Sequence, residues 1–186
     1  MSIFEYNGAA IIGMAGKECV AIASDLRFGV QLQTMTTDRP KVYKVHDKLY
    51  VGLGGLATDA QTLYQRLIFR HNMYKLREER DMKPSVFGWL VSNMLYEKRF
   101  GPYFTGPLVV GLEPDNTPFL VSQVPFETYG AATLMQLYLL ALTIDVGPSP
   151  LLFKLLLGGE QRCVQFGAGG SCSMHTLNTS TFLVEY

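Results

Sequence analysis

The chain has 186 residues, 48% hydrophobic and 17% charged, enough to bury one core with some length to spare. Its 16 basic and 16 acidic side chains cancel, so no charge footprint points to nucleic acid or to an anionic membrane, and neither partner is expected. Cys19, Cys163 and Cys172 are too few and too scattered for a disulfide framework, which fits a reducing compartment, and MSIFEYNG lacks the basic and apolar blocks of a secretory leader.

Residues 9–15 and 19–24 (AAIIGMA, CVAIAS) are short, β-prone runs joined by GKE, a predicted hairpin whose near-continuous apolarity implies strands covered on both faces. Residues 41–45 and 48–52 (KVYKV, KLYVG) predict a second hairpin turning at His46-Asp47. The stretch LATDAQTLYQRLIFRHNMYKLREER predicts a long helix. Thr58 with Gln61 has the spacing of a capping box, Asp59 suits the positive end of the helix dipole, and Leu63, Leu67, His71 and Tyr74 form one stripe beside Tyr64 and Ile68. A second helix is predicted to open at Pro84, with Phe87, Leu90, Val91, Met94 and Leu95 inward and Gly101-Pro102 as its stop. Residues 108–112 and 117–123 then flank EPDN as a third hairpin. Two helices set among apolar strands imply an α+β sandwich, helices packed on stacked sheets.

Composition changes near residue 125. Only 6 of the 32 charged side chains lie in the 61 residues after Pro125, which are Leu- and Gly-rich and then Ser/Thr-rich. Exposed faces of helices and strands normally carry charge, so this tail has little polar surface to offer water. The uncharged run at 128–144 has 17 residues, the bottom of the membrane-spanning range, and is expected to be a buried helix.

A hydrolase that uses its first residue needs a hydroxyl or thiol there with a free α-amine as base, a nearby cation, and an acid to orient that cation. Asp25, ending the second strand, and Lys41, after the next turn, have the right types for acid and cation, although such a pair is more often a structural ion pair. Cys163, Cys172 and His175 lack a fourth ligand for zinc, and GAGGS at 167–171 lacks the lysine and strand–loop–helix setting of a phosphate loop. His71 is expected to be a partly buried, hydrogen-bonded member of its stripe, and His46 a turn residue. Thr34, Thr36 and Thr37 are internal hydroxyls without an amine.

The stretches MSIFEYNGAA, AIASDLRFGVQLQTMTTD, GLGGLATDAQTLYQRLIFRHNMYKLREERDMKP and LYEKRFGPYF resemble the β subunits of the 20S proteasome, most closely the β3 type and its plant version. The resemblance runs from Met1 to about Val124. It implies an N-terminal-nucleophile hydrolase fold, a four-layer αββα sandwich. Active members of that superfamily have a mature N-terminal threonine 16 positions before the acid of the second strand; in this chain the position is Ala9, while Asp25 and Lys41 match the acid and cation. A methyl group attacks no carbonyl, and losing the nucleophile of a concerted site costs about six orders of magnitude in turnover. Asp25 and Lys41 are therefore vestigial, and no residue is expected to be catalytic.

What the resemblance implies is a non-catalytic structural β subunit, completing a β ring among neighbouring β subunits and against an α ring in a 28-subunit hetero-oligomer. It implies no cofactor and no metal, and residence in cytoplasm and nucleus. One competing reading is an active N-terminal protease using Ser2 after loss of Met1, but Ser2 lies 23 positions before Asp25 instead of 16. Another is a truncated form that does not assemble. Residues 1–125 are assigned to the proteasome β-type domain and 126–186 to a divergent tail, which points to a reading-frame shift or a retained intron. The tail lacks the family's Ser-Gly-x-Gly turn and closing strands, so the fold is expected to be incomplete, with strand edges open.

Overall fold

The computed structural model describes residues 4–16, 18–123, 161–167 and 172–177. The first hairpin pairs β1 (Ile11–Gly16) with β2 (Cys19–Asp25), Ile11 opposite Ser24 and Gly16 opposite Cys19. A small exposed hairpin follows, β3 (Phe28–Val30) with β4 (Gln33–Thr36). The second sheet is an antiparallel meander of β5 (Val42–His46), β6 (Leu49–Gly55), β7 (Thr105–Leu112) and β8 (Pro118–Ser122) in that order. Between β6 and β7 the chain forms two helices, α2 (Ala57–Glu78) and α3 (Pro84–Glu97); a single turn, α1 (Phe4–Asn7), precedes β1.

Side-chain alternation along the meander explains the layering. Leu49, Val51, Leu53 and Val109 point to one face and join Leu63 and Leu67 of α2 and Phe87 and Val91 of α3 in one core cluster. Their neighbours Tyr50, Leu108, Val110 and Leu112 point to the other face and meet Ile11, Val20 and Ile22 of the first sheet. A strand with apolar residues at both phases must be covered on both faces. The result is helices on a sheet on a second sheet, as expected from the sequence. Residues 126–160, where the sandwich's remaining helices were expected, lie outside the described residues, as does the uncharged run at 128–144. No helix among the described residues is long and apolar enough to cross a membrane.

Two glycines set how closely the layers approach. A Cβ on Gly52 would fall 2.8 Å from Ile11 Cγ2, between the sheets, and one on Gly111 would fall 2.6 Å from Pro84 Cγ, between β7 and the start of α3. Pro84 occupies the first turn of α3 as its missing N–H predicts. The helix ends at Glu97, with turns leading to Gly101, slightly before the predicted stop.

Three expectations are corrected. No capping box forms at Thr58: α2 already begins at Ala57, and Thr58 is inside the first turn. Its carbonyl accepts from the Thr62 hydroxyl, while the Asp59 carboxylate accepts the Phe104 backbone N–H at 2.9 Å. The orphan N–H of Ala57 is satisfied instead by the Asn7 side chain, 50 residues away, at 3.1 Å. Capping is worth about 1 kcal/mol and each buried Leu or Phe about 1.5–3 kcal/mol, so packing decides where α2 lies. The second hairpin turns at Asp47-Lys48, one residue later than predicted, because His46 pairs with Leu49. Finally, the edge of β2 is not open. Residues from the charge-poor tail form β9 (Gln161–Gly167) and β10 (Cys172–Leu177), giving the sheet order β1-β2-β9-β10. Alternating runs such as QRCVQFG supply backbone partners whatever motif they lack.

Candidate functional site

Asp25 is the last residue of β2 and closes the open end of the first hairpin. Its backbone N–H donates to the Ala10 carbonyl at 3.1 Å, and its Oδ1 accepts the Ala10 N–H at 2.8 Å. Its other oxygen, Oδ2, accepts from Lys41 Nζ at 2.5 Å. Lys41 lies just before β5, held there because its carbonyl accepts the Leu53 N–H at 2.8 Å. The sheets therefore bring the acid and cation together beside Ala9–Ala10, at the mouth between the two layers. The Lys41 side chain is almost fully buried and that of Asp25 about three-quarters so. Burial pushes the Lys41 ammonium below its ordinary pKa, a cost that the attraction and hydrogen bond of Asp25 offset only in part.

Ala9 stands outside β1, in the non-regular stretch that leads into it; the strand begins two residues later than the sequence suggested. Its nitrogen is a peptide nitrogen, bonded to Gly8. Gly8 takes φ +65°, a left-handed conformation open to glycine without steric cost, and this bends the incoming chain away from β1. Before it, Asn7 is buried and uses both ends of its amide. Nδ2 donates to the Gly29 carbonyl at 3.1 Å, while Oδ1 accepts from Ala57. Gln31 adds a backbone bond to the Tyr6 carbonyl. Residues 6–8 are thus strapped across β3 and the start of α2, just ahead of Ala9.

Little space remains beside Ala9. The Arg39 guanidinium sits 4.6 Å from the centre of the Phe28 ring, and Arg39, Phe28, Asn7, Lys41 and Tyr43 are among the residues enclosing a cavity of about 10 Å³. That volume holds about one water molecule, whereas small-molecule sites run to about 300–1,000 Å³. A buried ion pair, the methyl and peptide nitrogen of Ala9 beside it and a filled cleft make an arrangement suited to holding two sheets together.

Other residues singled out in the sequence lie elsewhere. Thr34 and Thr36 are exposed on β4, where their hydroxyls accept from Arg27 Nε and the Asp38 N–H. Backbone register sets Cys163 opposite His175 and Cys172 opposite Phe166; among the described residues no group of His, Cys, Asp or Glu is placed to hold a metal ion. Cys19 is a free, half-buried thiol whose pKa is raised by burial. Ser2 and residues 168–171 of GAGGS lie outside the described residues. Two expectations about histidines are corrected. His71 is fully buried rather than partly so, and among the described residues its Nδ1 has no hydrogen-bond partner. His46 is more than a turn residue: its ring bonds the Met82 carbonyl and stacks on His71, 5.7 Å between centres. The residue missed altogether is Asn7, since a lone Asn before a Gly carries no local signal for a bond made 50 residues away.

The model of the Proteasome subunit family matches residues 5–133. This chain belongs to the proteasome subunit family. Its N-terminal-nucleophile hydrolase fold accounts for the stacked sheets and the helical layer over the β5–β8 meander. Proteasome subunit beta type-3 of Oryza sativa subsp. japonica is 69% identical over 120 residues, 64% of this chain and 59% of that protein. The Dictyostelium discoideum protein of the same name is 70% identical over 121 residues, with the same shares covered. That of Picea mariana is 58% identical over 141 residues, 76% of this chain and 68% of the spruce protein. The chain thus matches a little under three-fifths of the length of its rice and Dictyostelium relatives.

Proposed function

We propose that this proteasome subunit is a non-catalytic, structural β subunit of the β3 type. It fills one place in a β ring, against neighbouring β subunits and an α ring, in the 28-subunit core that degrades intracellular proteins in cytoplasm and nucleus. The observation that carries the reading is Ala9: beside a paired Asp25 and Lys41 stands a methyl group on a peptide nitrogen, which offers neither a hydroxyl or thiol to attack nor a free α-amine to take its proton. Asp25 and Lys41 serve the fold, clamping the end of the first hairpin to the start of β5.

Surface chemistry supports assembly. α2 exposes Phe69, Met73 and Leu76, and α3 exposes Val86, Trp89 and Tyr96 at helical spacing, with Phe100 just beyond. Apolar side chains grouped this way suit faces that another protein covers. Sedimentation of a native extract tests the proposal. The chain should travel with the large core particle and remain with it at moderate salt; recovery only as free or aggregated chain would overturn it.

A further inference from the structure

The two histidines that the site does not use face each other across the fold, and the hydrogen bonds of His46 fix its proton position. His46, at the end of β5, accepts the Lys48 N–H on Nδ1 at 3.2 Å, so its proton is on Nε2, which donates to the Met82 carbonyl at 3.0 Å. His71, on α2, stacks on it at 5.7 Å with the rings 20° apart. His71 Nε2 lies 3.6 Å from Asp81 Oδ1, too long for a hydrogen bond, and its Nδ1 is buried without a partner among the described residues. Asp81 is already taken by Lys75 Nζ at 2.9 Å on that same oxygen, so its charge is largely answered.

We propose that His46 and His71, with Asp81 and the Met82 carbonyl, form a proton-operated latch that holds the β5–β6 turn against the α2–α3 connection when neutral and releases it on acidification. Protonation of His46 puts a hydrogen on Nδ1 facing the Lys48 N–H, donor against donor, and breaks the bond that shapes the turn. Protonation of His71 buries a donor with no acceptor. Protonation of both sets two cations 5.7 Å apart. The charged groups around the pair are Asp47 and Lys48 on the turn, Lys75 on α2 and Asp81 on the connection. Asp81 favours the imidazolium of each ring and Asp47 that of His46, but Asp47 is also paired with Lys44 at 2.7 Å and Asp81 with Lys75, and burial outweighs both carboxylates. Burial is the largest influence on both rings and lowers the pKa of each. What the latch secures is the edge of the helical core, because Met82 is itself a buried member of that cluster.

The direction follows from proton counts. With the native pKa values lowered, the opened state binds more protons than the closed one below the ordinary pKa of 6.5, so closure weakens as pH falls through that value. Between pH 7.5 and 5.5 each released histidine should raise the opening constant by up to about tenfold, and both together by more than either alone, up to about a hundredfold.

Hydrogen exchange on the full chain, corrected for the intrinsic pH dependence of exchange, reads this directly in peptides covering 44–50 and 78–86. Wild type should open more at the lower pH, by up to about a hundredfold, His71→Phe by less, up to about tenfold, and His46→Gln/His71→Phe almost no more than at the higher pH. Equal opening at both pH values in wild type, or the wild-type rise retained in the double variant, would overturn the latch. If the variants fail to fold, titrating the imidazole protons of the wild-type chain by NMR decides: both rings should titrate below 6.5, and two unperturbed titrations refute the proposal.

Discussion

Replacing Asp25 by Asn removes the charge that Lys41 faces and little else. The amide oxygen can still accept the Ala10 N–H, so the loss falls on the pair with Lys41 Nζ. Removing one partner of a buried pair costs about 3–5 kcal/mol, because the other charge is left uncompensated. Here the Asp25 side chain is 24% exposed and that of Lys41 9%, so water relieves part of the penalty and the expected cost is about 2–3 kcal/mol. Burial already lowers the Lys41 pKa more than Asp25 restores it, so the pair as a whole is close to break-even. Asp25→Asn combined with Lys41→Met should therefore recover to within about 1 kcal/mol of wild type. Urea unfolding of the full chain, followed by circular dichroism, measures both values in one double-mutant cycle. A residue held in place for chemistry is typically a burden on stability, and its replacement stabilises or leaves stability unchanged. A loss under about 0.5 kcal/mol for Asp25→Asn, or a double variant as damaged as the single, would refute the ion-pair reasoning.

Three further outcomes are expected. Ala9→Thr should give no peptidase activity above background, because the new hydroxyl still has a peptide nitrogen beside it; turnover of a fluorogenic peptide by the full-length variant would contradict this. Asn7→Ala should cost about 2 kcal/mol, one for each hydrogen bond lost, whereas Asn7→Asp, which keeps the acceptor for Ala57 and places a negative charge at the start of α2, should cost less; thermal melts distinguish them. Gly111→Ala should destabilise by about 1–3 kcal/mol through collision with the Pro84 ring and the Lys48 carbonyl, while Gly101→Ala, with nothing within 4 Å, should lie within about 0.5 kcal/mol of wild type.

Much of the fold was legible because its signals are local. Pro84, the stripe Leu63–Leu67–His71 and the apolar runs on both sides of GKE, HD and EPDN each constrain their own neighbourhood, and the elements expected there formed with bounds shifted by up to about three residues, whereas the β3–β4 hairpin carried no signal that was read. The first turn of α2 was misread for the opposite reason. Thr58 and Gln61 have the spacing of a local cap, but the donor that needed satisfying, Ala57 N–H, was taken by Asn7 from across the fold. The edge of β2 was misread because strand pairing uses backbone groups, which even a charge-poor tail supplies. At the site, the residue types of Asp25 and Lys41 were readable from sequence, and so was the methyl of Ala9. Their meeting at 2.5 Å was not, nor were the strap through Asn7 and the filling of the cleft by Arg39 over Phe28, since all three depend on distant segments. The stacked histidines were equally hidden: 25 residues separate them in the chain, and one had been placed in a turn and the other in a helical stripe.

The most direct measurement treats the assembled core particle with an electrophile that captures N-terminal hydroxyl nucleophiles, then weighs each subunit intact. Subunits with an N-terminal threonine should gain the mass of the probe, while this chain, recovered from the same particle, should keep its unmodified mass with residues 4–8 still attached ahead of Ala9. A probe adduct on this chain, whether at Ser2 or at a terminus newly cut near Ala9, would contradict the account.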